Sequence, residues 1–70
     1  MFFVIETQVN DGQGSSIVTT HETRNEAESK FHQILQYAAV SQVQKHGAVV
    51  MTEDCVLLLH SCYEHEVTNG

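Results

Sequence analysis

The 70-residue sequence has few cationic residues: three basic residues stand against nine acidic ones, for a net charge of −6. Proteins that bind duplex nucleic acid use many Lys and Arg side chains to replace the counterions of the phosphates. Arg24, Lys30 and Lys45 are too few for this role, so we expect no direct binding to a nucleic-acid duplex. An acidic surface instead favours solubility, or binding to a basic patch on another protein.

The sequence also lacks proline, an apolar run long enough to cross a membrane, and more than two cysteines. Its start, Met1 to Glu6, has no basic residues ahead of the apolar segment, unlike a signal peptide. If 55–63 is a strand, Cys55 and Cys62 point to opposite faces, which excludes a disulfide between them. We therefore expect a cytoplasmic protein with reduced thiols and no membrane partner.

The segment from Thr23 to Val40 is the only one with a helical period. Its apolar residues recur at steps of three and four, which places them on one stripe of a helix: Ala27, Phe31, Ile34, Leu35 and Ala38. Thr23 and Glu26 have the spacing of a capping box, so we expect the helix to begin just after Thr23. An end near Val40 fits the stripe and leaves 41–46 as a connector, whereas the sequence Lys45-His46-Gly47 predicts a later end.

Apolar and β-branched residues predict four strands, two before this helix and two after it. The predicted ranges are 2–9, 15–21, 47–53 and 55–63, with a hairpin turn at 10–14. We expect the polar residues 64–70 to fray. The sequence thus predicts one α+β domain over residues 1–70, a two-layer ββαββ fold in which one helix covers one face of a four-stranded, mainly antiparallel sheet. The first and fourth strands are the most apolar, so we expect them at the centre of the sheet.

One helix covers only one face of such a sheet, and we expect Phe3 and Ile5 beneath it. The other face then takes Phe2 and Val4, and the last two strands also carry apolar residues on both faces. A second apolar face on a small domain indicates a covering partner. We expect a second copy of the chain, in a dimer or larger homo-oligomer joined through sheet faces or edges, with Phe2, Val4 and an exposed Tyr37 as interface residues.

A group of polar residues leads into the helix. Thr20, His21 and Arg24 lie where the free N–H groups of a helix N-terminus favour anions, and Arg24 could hold a phosphate bidentately. With Lys30, and with Tyr63 to stack on a base, these residues form a candidate ligand-binding site at a subunit boundary. The alternative, which the capping box favours, is an ordinary helix start with Arg24 in water.

Chemically reactive side chains concentrate in the run from His60 to Glu66. His60, Cys62 and Glu64 share one face of a strand, but their spacing matches no closed zinc site, so we predict no metal site. Cys62 beside His60 lacks the electropositive setting that a nucleophilic thiolate needs. We therefore predict no catalytic residue, no cofactor and no enzymatic activity.

Four pieces of the sequence, MFFVIETQVNDG, TRNEAESKFHQIL, AAVS and CYEH, resemble small uncharacterised proteins encoded by phages, prophages and other mobile elements of gut Firmicutes. The resemblance spans nearly the whole chain, and its most specific parts are residues 24–32 and 62–65. It implies an accessory protein that acts in the host bacterial cytoplasm against host immunity. It carries over no functional residues.

Three functions are compatible with these features. The first is a non-enzymatic inhibitor that binds and blocks a host immune protein, for example a CRISPR effector; the net charge and the second apolar face favour it. The second is an oligomeric sponge that sequesters a nucleotide signal of the cyclic oligonucleotide or cyclic ADP-ribose type. The third is a small structural or regulatory dimer. We expect the first of these functions.

Overall fold

The computed structural model describes residues 1–65, which form four strands and one helix. The elements are β1 (Phe2–Asn10), β2 (Gln13–His21), α1 (Arg24–Ala38), β3 (Lys45–Thr52) and β4 (Leu57–Glu64). The strands form one antiparallel sheet in the order β2-β1-β3-β4, and α1 packs on one of its faces. The predicted α+β fold with the element order ββαββ is confirmed.

β1 and β2 are joined by the two-residue turn Asp11-Gly12. Both residues have positive φ, 52° and 77°, which identifies a type I′ turn, the type whose twist matches that of a hairpin. The turn is held from outside by Gln44, whose backbone N–H donates to Asn10 Oδ1 at 2.9 Å. In return, the Asp11 N–H donates to Gln44 Oε1 at 2.7 Å. The hairpin tip is therefore tied to the connector that precedes β3.

α1 begins where the capping box predicts. Thr23 is the extended N-cap residue, and its Oγ1 accepts from the Glu26 N–H at 3.2 Å, one of the two hydrogen bonds of the box. The predicted stripe is confirmed, because Ala27, Phe31, Ile34 and Ala38 are buried and Leu35 is half-buried. The helix ends at Ala38, so the earlier of the two predicted ends is right. The Ala38 carbonyl accepts from His65 Nε2 at 2.7 Å, so a side chain that follows β4 caps this end.

The core lies between α1 and the two central strands. Its buried members are Val4, Ala27, Phe31, Ile34, Ala48 and Val50, with Phe2, Leu35, Leu58 and Leu59 packed around them. The predicted assignment of the faces of β1 is wrong: Val4 is 1% exposed beneath the helix, and Phe2 packs beside it. Phe3 and Ile5 point to the other side. The alternation of β1 does not distinguish its two faces, because both carry apolar residues. The structure identifies the helix side as the one on which Val4, Val50 and Leu59 align across three strands.

The predicted strand order is only half right. β1 is central, but its central partner is β3, and β4 is an edge strand. The apolar run before and at the start of β4 misled the prediction, since Val56 and Leu57 are each 54% exposed. β4 reaches the sheet only through the turn that follows β3, so it lies on the outer side of β3.

The ends of β4 also differ from the prediction. Cys55 was expected to open this strand but lies in the turn before it with φ 66°, and both Cys55 and Cys62 are exposed free thiols. The strand continues to Glu64, and the His65 N–H donates to the Gln44 carbonyl at 2.8 Å. The predicted fraying of residues 64 and 65 is therefore wrong, and residues 66–70 lie outside the described residues.

Candidate functional site

Within residues 1–65 no element covers the sheet face away from α1, and we call this face the open face. Directly opposed residues of antiparallel strands point to the same side, so the register identifies its members. One row crosses all four strands: Val18, Ile5, Val49 and His60. The next row holds Thr20, Phe3, Met51 and Leu57. The predicted second apolar face thus exists, although Phe2 and Val4 are not part of it.

The open face differs from the rest of the chain in its charge. Its charged residues in the described chain are Lys45 and Glu64, which pair with each other at 3.9 Å at one edge. Other carboxylates lie at the ends of the sheet, on Asp11 in the hairpin turn and on Glu53 and Asp54 in the turn before β4. The result is an uncharged apolar centre with acidic ends, on a chain of net charge −6.

Gly47 lies on the open face and has no room for a side chain. A Cβ placed there would lie 2.9 Å from Cys62 Cα and 3.0 Å from Cys62 Cβ, against 3.4–4 Å for ordinary contact. Strands β3 and β4 therefore approach more closely at this pair than a larger residue would permit. The glycine keeps this part of the open face flat beside the exposed Cys62 thiol.

On the helix side, a buried hydrogen-bonded network joins β1, β3 and the connector after α1. His46 is 5% exposed, and its Nε2 donates to Glu6 Oε2 at 2.6 Å. His46 Nδ1 lies 3.0 Å from Ser41 Oγ, and Gln8 Nε2 donates to Glu6 Oε2 at 3.1 Å. The Ser41 hydroxyl also lies 3.3 Å from the Ala38 carbonyl. These contacts fix the end of α1 to the sheet.

The network lowers the pKa of the Glu6 carboxyl group. Burial raises the pKa of Glu6, but the hydrogen bonds from His46 and Gln8, with the electrostatic effect of His46 and Lys30, lower it by more. The pKa of Glu6 therefore lies below its usual value of 4.5. The carboxylate is ionised at neutral pH and accepts the hydrogen bonds that hold His46 in place.

In this network a carboxylate, an imidazole and a hydroxyl are hydrogen-bonded in the same succession as in a catalytic triad. A triad needs a hydroxyl that faces a substrate cleft. A groove of about 220 Å³ lies at the β1–β2 hairpin, and its lining residues, Gln8, Asn10, Gln13, Gly14 and Ser15, do not include Ser41. The Ser41 hydroxyl is directed to His46 and to the helix end. We interpret the network as a structural tie between α1 and the sheet.

Sequence analysis missed this network. The sequence pattern places His46 at a possible helix end, and it predicts no partner for Glu6. The available signal was Glu6 itself, a charged residue within an apolar strand. A buried carboxylate requires a hydrogen-bonding or charged partner, and polar residues on the neighbouring strand are the first candidates.

The structure separates the predicted ligand-binding residues. Arg24 lies on the first turn of α1 and pairs with Glu28 at 3.6 Å, and His21 Nε2 lies 2.9 Å from Thr19 Oγ1. Thr20 points to the open face, opposite to His21. Lys30 is half-buried on α1, close enough to act on the charge of Glu6.

Tyr63 lies at the far end of the sheet from this group. It is opposite His46 on β3, whereas His21 is opposite Phe2 at the start of β1. Along β1, the positions that pair with His21 and with His46 are six residues, or about 20 Å, apart. A single protomer therefore does not bring Tyr63 together with Arg24 around one nucleotide.

The other predicted functional residues are distributed over both layers. Tyr37 is 63% exposed on α1, as its position off the apolar stripe predicts. His60, Cys62 and Glu64 follow one another along the open face of β4. Among the described residues no three His, Cys, Asp or Glu side chains are grouped closely enough to hold a metal ion.

Within residues 1–65, α1 is too short and too polar to span a membrane. Comparison of the chain with protein-family models, with curated proteins and with solved structures finds no match. We therefore infer the function from the open face and the edges of the sheet.

Proposed function

We propose that the chain is a non-enzymatic binding protein that acts by docking its open face on another protein and blocking that protein's surface. The observation that supports this proposal is the uncharged apolar row of Val18, Ile5 and Val49 on an otherwise acidic chain. An apolar centre with a polar rim is the usual anatomy of a protein–protein interface. Small soluble domains rarely leave a contiguous apolar face of this size exposed to water, so the open face indicates a binding partner.

The open face is large enough for a specific interface. Four strands about 4.8 Å apart and about eight residues long span roughly 500 Å². Contact with a partner would thus bury about 1,000 Å² in total, the lower limit for specific protein complexes. The expected affinity is that of a modest, reversible complex unless the partner also contacts the acidic ends of the sheet.

The charge distribution favours a partner with a basic rim. Carboxylates lie at both ends of the sheet, on Asp11 at one end and on Asp54 and Glu53 at the other, where Glu53 pairs with the Met1 amino group at 2.9 Å. A second copy docked face to face would bring these acidic ends together, whereas Lys and Arg side chains of another protein would complement them. We expect the complex to weaken as the salt concentration rises, because the rim charges are exposed.

The resemblance to phage-encoded proteins gives the class of target. In this proposal the partner is a host immune protein, such as a CRISPR effector, and binding in the host cytoplasm prevents it from acting. Effectors that bind nucleic acid have basic surfaces, which suit an acidic protein. The sponge hypothesis gains no support of this kind, since its basic residues and Tyr63 are far apart.

The test compares Val18→Asp with Val40→Asp, the same change on two surfaces. Val18 is 54% exposed on the open face, and Val40 is 81% exposed just after α1, so neither substitution disturbs the core. Each variant is expressed in bacteria that carry a defined immune system, and the plating of a susceptible phage is measured. We expect the original chain and Val40→Asp to restore plating, and Val18→Asp to restore it at least tenfold less.

Restoration by Val18→Asp at the level of the original chain would contradict docking through the open face. Loss in Val40→Asp alone would move the interface to the helix side, near Tyr37. A rise in melting temperature with cyclic dinucleotides or cyclic ADP-ribose isomers, without any protein partner, would instead favour the sponge function.

A further inference from the structure

β2 is an edge strand without the features that normally prevent an edge from pairing. Natural edges carry proline, lysine, inward-pointing charges or bulges. β2 has none of these: its nine residues, QGSSIVTTH, include no proline and no Lys, Arg, Asp or Glu, and its register with β1 is continuous from Gln13 to His21. The other edge, β4, carries Glu64 and a register shift opposite Val50 and Met51.

The hairpin geometry identifies which backbone groups of β2 are free. Asn10 and Gln13 close a two-residue turn and therefore form a hydrogen-bonded pair. In an antiparallel ladder the hydrogen-bonded positions alternate along the strand. The N–H and C=O groups that point away from β1 are consequently those of Gly14, Ser16, Val18 and Thr20.

We propose that β2 pairs with β2 of a second copy of the chain, antiparallel and across a two-fold axis at Ile17. In this register Ser16 faces Val18 of the second copy, and Gly14 faces Thr20. All four outward-facing residues are then paired, which gives about eight main-chain hydrogen bonds between the copies. The two sheets become one continuous eight-stranded sheet.

The side chains of β2 fit this register. Ile17 lies at the centre of the strand and is 57% exposed, on the helix side of the sheet beyond the cover of α1. On the axis it faces Ile17 of the second copy in a closely spaced pair, and β-branched residues are favoured there. Because β2 carries no formal charge when His21 is neutral, the two acidic chains meet along their least charged edge.

The pairing places both open faces on the same side of the joined sheet. It leaves them uncovered, and it does not depend on their proposed role in docking. A failure of either proposal therefore leaves the other standing, since one rests on the edge of β2 and the other on the open face.

The first test measures the mass of the native chain by native mass spectrometry and by light scattering. We expect twice the 7.8 kDa of the chain. Ile17→Lys places two like charges against each other on the axis and should weaken the dimer at least tenfold. The matched control is Val18→Lys, on the neighbouring residue of similar exposure, where the introduced lysines face serine and the dimer should weaken less than threefold.

The opposite ranking, with Val18→Lys more disruptive than Ile17→Lys, would overturn the proposal in favour of a face-to-face dimer. A monomer mass for the native chain would overturn it outright. Circular dichroism of both variants verifies that they remain folded.

The second test uses cysteine cross-linking in a background in which Cys55 and Cys62 are replaced by serine. Ile17→Cys places two thiols on the axis, within about 5.5 Å between Cβ atoms, so oxidation should link the copies covalently. Ser15→Cys is the control, because its thiol would lie about 13 Å from its symmetry mate. Covalent dimers from Ile17→Cys alone support the register. Dimers from Ser15→Cys, or from neither variant, would overturn it.

Discussion

Gly47→Ala tests whether the close approach of β3 and β4 controls the stability of the sheet. The added methyl group would lie 2.9 Å from Cys62 Cα and closer still to the Ser61 carbonyl oxygen. Both are backbone atoms, so no side-chain rotation relieves the contact, and β4 has to move outward. Overpacking of this kind costs about 1–3 kcal/mol. The reduced freedom of the unfolded chain returns about 0.4–1 kcal/mol.

We therefore expect Gly47→Ala to lower the free energy of unfolding by about 1–2 kcal/mol, a large part of the roughly 4–10 kcal/mol expected for a domain of this size. Gly14→Ala is the matched control. Gly14 also lies on the open face, with φ outside the left-handed region, and its nearest neighbour is Val9 Cγ2 at 3.8 Å. The same substitution there should be neutral, or stabilising by up to about 0.5 kcal/mol.

The assay is urea unfolding followed by far-UV circular dichroism, since the chain has no tryptophan to report by fluorescence. All variants are measured at one protein concentration, so that association contributes equally. Equal unfolding midpoints for Gly47→Ala and the original chain would refute the argument from the Cys62 and Ser61 contacts. A similar loss in Gly14→Ala would show that strand glycines in general, and not this close approach, determine the result.

Two further predictions concern the helix start and the buried network. Thr23→Ala removes the acceptor for the Glu26 N–H and should cost about 1 kcal/mol in urea unfolding, whereas Ser29→Ala on the exposed side of α1 should cost nothing; equal effects would contradict the capping role. Glu6→Gln should reduce the loss of unfolding free energy at acid pH. Because the pKa of Glu6 is lowered in the folded state, its carboxylate stabilises the fold above the usual pKa of 4.5, and this contribution is lost as the pH falls below that value. Glu22→Gln, on an exposed residue, should keep the slope of the original chain in the same pH series, and an unchanged slope in Glu6→Gln would contradict the assignment.

The helix could be predicted from the sequence almost residue by residue, because its signals are local. The stripe from Ala27 to Ala38 and the Thr23 cap depend only on neighbours within one or two turns. The same holds for the hairpin at Asp11-Gly12, since two-residue turns have a specific chemistry. These elements fixed the order ββαββ and hence the fold class.

Strand order and the choice of face depend on distant residues, and here the sequence was insufficient. Phe2 and Val4 alternate with Phe3 and Ile5, and both sets are apolar, so only the register with β3 shows which set lies beneath α1. The same limit applies to the buried network. Glu6 and His46 are 40 residues apart, and no local pattern links them.

An uncovered apolar face could be predicted from the number of apolar strand residues, because one helix covers one face of a sheet. Its membership could not be predicted, since it follows from the register. The unprotected edge of β2 was also not predicted: central first and fourth strands already place β2 at an edge, but only its continuous register with β1 shows that no bulge interrupts that edge.

The pairing of β1 with β3 has a consequence for how the chain folds as it is made. The first hairpin forms early, and α1 follows it, but the core around Val4 is complete only when Val50 joins it, more than forty residues later in the chain. At a synthesis rate of about 5–20 residues per second, this delay is roughly 2–9 s. During that interval β1 has β2 as its one neighbouring strand, and the unprotected edge of β2 is already available. The pairing of β1 is therefore complete only after most of the chain, through β3, has been made.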